Sequence, residues 1–188
     1  MKSVRMWQSH FNVLYLTYNG NVSQATTDVV LNWLSEDTKR VLIIQYDNQA
    51  SNPRVLNALG ITEFYQRGQS TPYTVYSGAP AIIMDGVFGA VDYSMLYRSY
   101  DDTHREIDFD LAVSLGISPI LLADNGRMVF GVDFDRRIVY SGDIDLYSSL
   151  SNSRSGEYLQ AGGSATANNA SRLIANLWAW IATTALSE

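Results

Sequence analysis

The first quarter of the chain alternates apolar runs with an amphipathic stretch, which predicts a strand, a helix and a second strand. Residues 11–18 are apolar, β-branched or aromatic and end at Asn19-Gly20, as a buried strand that leads into a turn does. Ser23 suits the N-cap of a helix, and residues 41–46 form a second apolar run. The helix carries one apolar stripe, made of Ala25, Val29, Val30, Trp33 and Leu34. This order predicts a right-handed β-α-β unit in a parallel sheet.

The middle of the chain predicts shorter elements. Pro53 suits the first position of a short helix that Gly60 ends. Residues 61–80 are irregular or contain an edge strand near 73–76, and 81–84 form another apolar run.

The stretch from Asp85 to Asp110 has no regular pattern of apolar positions. It is too long for a simple turn. A loop of this length in a compact domain is usually a functional or partner-facing insertion, or else a misassigned element.

Three short β-type segments follow, at 119–123, 127–132 and 137–141. Asp124-Asn125-Gly126 joins the first two as a hairpin turn does, so we expect some antiparallel pairing here beside the parallel sheet.

The chain ends in a strongly amphipathic helix that starts near Thr166. Its apolar stripe consists of Ala170, Leu173, Ile174, Leu177, Trp178 and Ile181. Because Trp178 lies on this stripe, Trp180 is expected to face elsewhere, as an exposed aromatic or a contact with another domain or chain.

Together these elements predict one α/β domain over residues 1–188: a three-layer sandwich with a mainly parallel sheet and helices on both faces. A length of 188 residues with 46% hydrophobic content is enough for one substantial core.

Composition excludes several kinds of function. A net charge of −6 and scattered Lys and Arg argue against nucleic acid as a partner. No apolar run approaches the ~20 residues of a transmembrane helix. With no cysteine, there is no thiol nucleophile and no Cys-ligated metal, and no cofactor is indicated.

The first ten residues lack the apolar centre of a secretory signal, so the location of the protein stays open. Abundant Tyr, Ser and Asn slightly favour a periplasmic or cell-surface protein over a cytoplasmic one.

Several phrases resemble the class I glutamine amidotransferase-like domains, a flavodoxin-like class that includes trehalose-utilisation-type bacterial domains. They are VLNWLSEDTKRVLIIQYD with the following VLNALGI, MDGVFG at 84–89, RIVYSGDIDLYS at 137–148 and NNASRLIANLWAWI at 168–181. The resemblance implies a bacterial protein with this fold, and a chain that corresponds to the later part of a larger one.

The resemblance does not extend to the catalytic residues of that class. Catalytic members carry a Cys or Ser on a sharp elbow and a late His. Here Cys and any G-x-S-x-G elbow are absent, and neither His10 nor His104 follows the last strand. The sequence therefore predicts a non-catalytic binding or assembly module, whose partner is another protein or other domains of the same chain. Its binding surface is expected in residues 85–110 and in the loops at the strand ends.

Three carboxylates define the main alternative, a divalent-metal-dependent hydrolase or phosphoryl-handling enzyme. Asp143 and Asp145 follow the last predicted strand, and Asp47 follows 41–46. If both strands are parallel, these residues lie at the edge where open α/β sheets bind ligands, and they could hold Mg²⁺ or Ca²⁺. The simpler interpretation, which base rates favour, is that they cap backbone groups in turns.

Aromatic and other polar residues supply weaker candidates. Tyr93, Tyr97 and Tyr100, with Tyr73 and Tyr76, suit a carbohydrate platform or a protein-binding patch, or else cover the sheet. His104, flanked by acidic residues, suits a metal ligand or a pH-sensitive contact, although a solvated polar loop is the favoured interpretation. Ser51, Ser77 and Ser141 lie near strand ends, but no base can be paired with them.

Overall fold

The structure is a computed structural model that describes residues 11–17, 22–46, 53–68, 72–93, 96–98, 103–142 and 169–186. Its strands are β1 (Val13–Leu16), β2 (Val41–Gln45), β3 (Tyr65–Gly68), β4 (Pro72–Val75), β5 (Asp85–Gly86), β6 (Gly89–Ala90), β7 (Leu96–Arg98), β8 (Thr103–Glu106), β9 (Ser118–Leu122), β10 (Met128–Asp133) and β11 (Ile138–Ser141). Its helices are α1 (Gln24–Glu36), α2 (Pro53–Ala58), α3 (Ala81–Met84), α4 (Phe109–Ser114) and α5 (Asn169–Leu186).

The central sheet has seven strands in the order β1-β2-β11-β10-β9-β4-β7. The β1–β2 and β2–β11 pairs are parallel. The pairs β11–β10, β10–β9, β9–β4 and β4–β7 are antiparallel. The α/β class and the antiparallel pairing near 119–141 are therefore confirmed, but a mainly parallel sheet is wrong. The short connections β9–β10 and β10–β11 allow only antiparallel neighbours, and the antiparallel part continues through β4 and β7.

The first β-α-β unit forms as the sequence predicts. The Ser23 hydroxyl accepts from the Thr26 N–H at 3.2 Å and caps α1. Along α1 the inward face includes Thr27, whereas Ala25 is exposed and stands outside the predicted stripe. Thr27 is accommodated because its hydroxyl donates to the Ser23 carbonyl at 3.1 Å.

Successive residues of β2 belong to two different apolar clusters, as alternation along a buried strand requires. Val41 and Ile43 lie in one cluster, and Leu42 and Ile44 lie in the other. The first cluster contains Ile83 of α3 and Leu173, Leu177 and Ile181 of α5. The second contains Val30 and Trp33 of α1, Leu56 of α2 and Ala112 of α4. The sheet therefore meets helical side chains on each side.

The two tryptophans of α5 have the opposite roles from those expected. Trp178 is 40% exposed, whereas Trp180 packs on the core and meets Phe134 edge to face with ring centroids 5.2 Å apart. Trp180 is seven residues from Leu173, so it stays near the middle of the buried face, while Trp178 lies at its border.

Where the structure describes it, the stretch 85–110 contains regular elements. It contains the β5–β6 hairpin, β7, β8 and the start of α4. The apolar run 81–84 forms α3, and 73–76 contributes to β4, which lies between β9 and β7 and is not an edge strand. The sequence pattern does not predict these short strands, because they carry polar residues and neither face of each strand is apolar throughout.

Strand β8 pairs with β3 in a small second sheet and lies across one end of the central sheet. The Arg105 N–H donates to the Gly142 carbonyl at 2.9 Å, and Ile107 and Met128 exchange two hydrogen bonds of 2.9 Å. A side chain at Gly142 is excluded, because a Cβ there would overlap the Arg105 carbonyl oxygen.

Within the described ranges, no helix combines the length and the apolar character needed to cross a bilayer.

We expect Gly142→Ala to lower the free energy of unfolding by about 3 kcal/mol, because the added methyl must displace β8 and break its hydrogen bond to β11. Urea unfolding measures this cost, and hydrogen exchange should show lost protection at the Arg105 amide.

Gly116→Ala is the matched control. Gly116 has φ +80° with open space around it, so alanine there costs only backbone strain, about 1 kcal/mol, and leaves the Arg105 amide protected. Equal effects of the two substitutions on Arg105 exchange would contradict the crossing of β8 over Gly142.

Candidate functional site at the carboxyl edge of the sheet

Strands β2 and β11 are parallel neighbours, so they end at the same edge of the sheet. Ser141 pairs with Gln45 in their register. Asp47 and Asp143 follow these strand ends in the sequence. The metal-site hypothesis required the two strands to be parallel, and they are. Asp47, Asp143 and Asp145 themselves lie outside the described residues, so their convergence stays a prediction. This edge is where open α/β sheets bind ligands.

Strand β8 brings two further polar residues to this edge. His104 and Glu106 flank Arg105, whose N–H is bonded to Gly142 at the end of β11. Residues two apart on a strand share a face, so the His104 and Glu106 side chains project together. Sequence reasoning placed His104 in a solvated loop, and that interpretation is wrong: both side chains are fully buried.

The two side chains form a hydrogen-bonded pair. His104 Nε2 lies 3.0 Å from Glu106 Oε1. The second carboxylate oxygen, Oε2, accepts from Asn125 Nδ2 at 2.7 Å, and the Arg127 guanidinium lies 3.8 Å from it. The His104 ring also meets Tyr73 edge to face, with centroids 5.0 Å apart. Glu106 is thus a buried carboxyl group with a polar partner at each oxygen.

Asn125 has two roles in the β9–β10 turn. Its Oδ1 accepts from the Arg127 N–H at 3.0 Å, which shapes the turn, and its amide nitrogen binds Glu106. Arg127 then lies over the Tyr65 ring, 3.5 Å from its centroid. The sequence predicts the turn but not its part in the site. The sequence offers one signal for this pair, the spacing of His104 and Glu106. Residues two apart on a strand point to the same face.

The second ring nitrogen of His104, Nδ1, is buried and has no hydrogen-bond partner among the residues that the structure describes. An ionised carboxylate only accepts hydrogen bonds, so a bond from Nε2 to Glu106 requires the proton on Nε2.

Tyr46 stands beside this cluster at the end of β2 and is fully buried. Burial raises the pKa of its phenol well above the ordinary range, and the nearby Tyr140 and Glu106 raise it further. Its hydroxyl lies 3.4 Å from the Val129 carbonyl as a donor. Tyr46 therefore remains a neutral phenol at physiological pH.

The tyrosines proposed as a platform differ in exposure where the structure describes them, and Tyr73 pairs with Tyr97 across β4 and β7. Tyr73 is fully buried against His104, and Tyr76 packs edge to face on Phe109 at 5.2 Å. Tyr93 is 44% exposed. Tyr97 lies on β7, and Tyr100 is outside the described residues. Tyr73 and Tyr76 therefore serve the core, as the alternative interpretation held.

Among the serines, Ser141 is buried at the end of β11 and Ser77 is exposed, while Ser51 lies outside the described residues. Across the described ranges, no group of three or more His, Asp and Glu residues is placed to hold a metal ion.

A second surface feature is the β5–β6 hairpin, which sequence reasoning included in the irregular stretch. Its turn presents Val87 and Phe88, which are 83% and 58% exposed. The buried Asn176 of α5 fixes the hairpin: its Oδ1 accepts from the Phe88 N–H at 2.9 Å, and its Nδ2 donates to the Ile83 and Gly89 carbonyls at 2.9 and 3.0 Å.

No family model matches the chain, and neither the curated proteins nor the solved structures contain a significant match.

We expect Glu106→Ala to lower the free energy of unfolding by about 3 kcal/mol, because it removes the partner of the fully buried His104 side chain and the acceptor of Asn125 Nδ2. Thermal and urea unfolding measure the loss. The control is Asp135→Ala, an exposed carboxylate in the β10–β11 turn, with an expected change within about 0.5 kcal/mol. Equal stability of the two variants would contradict a buried, bonded Glu106.

Proposed function

We propose that this chain is a non-catalytic binding or assembly module of a larger bacterial protein, built as a three-layer, flavodoxin-like domain of the glutamine amidotransferase-like class. The lack of Cys supports a non-catalytic role. So does the burial of His104, the one histidine in the described ranges. The mixed sheet with helical side chains on each side is compatible with that class.

The observation that carries the binding role is the apolar tip of the β5–β6 hairpin. Val87 and Phe88 are exposed within the stretch where the sequence predicts a partner-facing surface. Ile82 and Tyr93, 56% and 44% exposed, flank them in the chain. Large exposed apolar side chains at the tip of a hairpin suit an interaction site.

Rigid support makes this tip suited to docking. Asn176 holds the backbone on both sides of Val87-Phe88 with three hydrogen bonds. A Cβ at Gly86 would lie 2.6 Å from Asn176 Cγ, so the hairpin fits closely on α5. Holding an apolar anchor in one conformation before binding lowers the entropy cost of association. The partner that fits is a protein or a neighbouring domain with an apolar groove.

We expect Phe88→Asp to abolish assembly while the fold is retained, because a charged side chain cannot enter an apolar groove without losing its hydration. The measurement is native size fractionation of the protein as its own cells produce it, with wild type and variant compared.

Val113→Asp is the matched control: Val113 is 50% exposed but lies on α4, remote from the hairpin in the chain. The wild type and the Val113→Asp variant should each elute as the assembly, whereas Phe88→Asp should elute as the free protein. Sedimentation of the purified chain separates self-association from a different partner. Co-elution of all three proteins would refute the proposal.

The second candidate function is a divalent-metal-dependent hydrolase or phosphoryl-handling enzyme. The parallel pairing of β2 and β11 favours it, because Asp47 and Asp143 follow neighbouring strands at one edge. Carboxylates that meet at such an edge are suitable ligands for Mg²⁺.

For this candidate we expect Mg²⁺ or Mn²⁺ to raise the melting temperature of the wild type, because an ion that binds only the folded state stabilises it. The double variant Asp143→Asn/Asp145→Asn should lose the rise, whereas Asp135→Asn should keep it. No rise in the wild type at millimolar metal would exclude this function.

A further inference from the structure

We propose that the partner of the β5–β6 hairpin is a second copy of this chain. Two α5 helices pair antiparallel, and the apolar tip of each hairpin then meets the carboxyl end of the other copy's α5. The inference rests on the docking role proposed above for Phe88 and names the protein that provides the apolar surface. The assembly is a symmetric dimer, in which both copies use the same patch.

The first step of the argument concerns the outward side of α5, which is exposed and largely apolar. Trp178, Ala182, Thr183 and Leu186 are exposed, and at about 100° of rotation per residue they fall on one side of the helix. Leu186 alone is 79% exposed. A surface helix normally carries charged and polar residues on its outward side. This side of α5 therefore suits a contact with another helix.

The second step concerns the place of the hairpin along α5. Asn176 binds the Phe88 N–H, and the Arg172 guanidinium donates to the Ala90 carbonyl at 3.4 Å. The apolar tip thus lies beside the amino-terminal half of α5, whereas Leu186 lies at the carboxyl end, about 21 Å from Arg172 along the helix at 1.5 Å per residue. A copy cannot bring its own tip to its own Leu186. An antiparallel second copy brings tip and helix end together twice, once at each end of the pair.

The third step concerns charge. The chain has a net charge of −6, so two copies repel each other on average. Between Asn169 and Leu186 the sequence has one charged residue, Arg172, and the last turn of α5 has no basic residue. Cations are favourable at the carboxyl end of a helix. Antiparallel pairing supplies that cation from the other copy, because Arg172 of one helix then lies beside the last turn of the other.

The fourth step concerns area. The exposed parts of Val87, Phe88, Trp178 and Leu186 amount to about 500 Å² on each copy, at ~150–250 Å² for a whole side chain of this size. A stable interface of standard size buries about 800 Å² on each partner, and a little more than half of that area is apolar. The apolar surface of the tip and of α5 is therefore sufficient for a dimer.

Cysteine cross-linking tests the arrangement directly, because the chain has no cysteine of its own. Ala179 lies midway between Arg172 and Leu186, so the symmetry axis of an antiparallel pair passes close to it. We expect the purified Ala179→Cys variant to form a disulfide-linked dimer on mild oxidation, since two cysteines that face each other across the axis fall within bonding distance. Val113→Cys, at an exposed position on α4, is the matched control and should run as a monomer on a non-reducing denaturing gel.

A second measurement tests the contact at the end of α5. In Leu186→Lys the new side chain is favourable for the helix end but cannot be buried against an apolar hairpin, so the fold is retained while pairing is weakened. Sedimentation of the purified chain should show a dimer dissociation constant raised about 100-fold, because each dimer loses the contact twice. Val113→Lys should sediment as the wild type does.

Three results would overturn the proposal. They are a purified wild-type chain that stays monomeric up to about 1 mM, equal cross-linking of Ala179→Cys and Val113→Cys, and a folded Leu186→Lys variant that dimerises as the wild type does.

The proposed docking function fails by a different result. If the purified chain is monomeric while Phe88→Asp still leaves the assembly formed in cells, the tip docks on a different protein and only the second copy is excluded. If Phe88→Asp co-elutes with the wild type from cells, the docking role of the tip is itself refuted.

Discussion

The hydrogen bond between the Arg105 N–H and the Gly142 carbonyl is the constraint on which the carboxyl edge depends. It joins the small β3–β8 sheet to the central sheet and places His104 and Glu106 at the end of β11. The bond is possible only because Gly142 has no side chain at the point of closest approach. Ser141-Gly142 is therefore the point where β8 crosses the sheet, at the edge where the parallel strands β2 and β11 end.

Local patterns in the sequence predicted the elements that are periodic and apolar. Such patterns predict the Ser23 cap, the buried β2 run, the helix Pro53–Ala58 and the turn at Asp124–Gly126. Each depends on neighbours a few residues away, or on burial of a continuous apolar run. These features are sufficient for the α/β class but do not fix the order of the strands.

The site was less predictable because its contacts are distant in sequence and polar. His104 lies in a run of charged residues that suggests a solvated loop, and only the contacts of its side chain with Tyr73 and Glu106 show that it is buried. The prediction that Trp178 is buried and Trp180 exposed is wrong for a related reason. A helix with many apolar residues has a wide apolar stripe, and only the position of the sheet shows which side of that stripe is buried.

The contacts of Asn176 also have a consequence for synthesis. This residue is 87 to 93 positions from the backbone groups that it binds in α3 and the hairpin. A ribosome releases the hairpin long before it releases α5. During that interval the apolar tip lacks its support, and it acquires a fixed shape only when the last helix docks. The order of translation thus delays presentation of the tip until the core beneath it is complete.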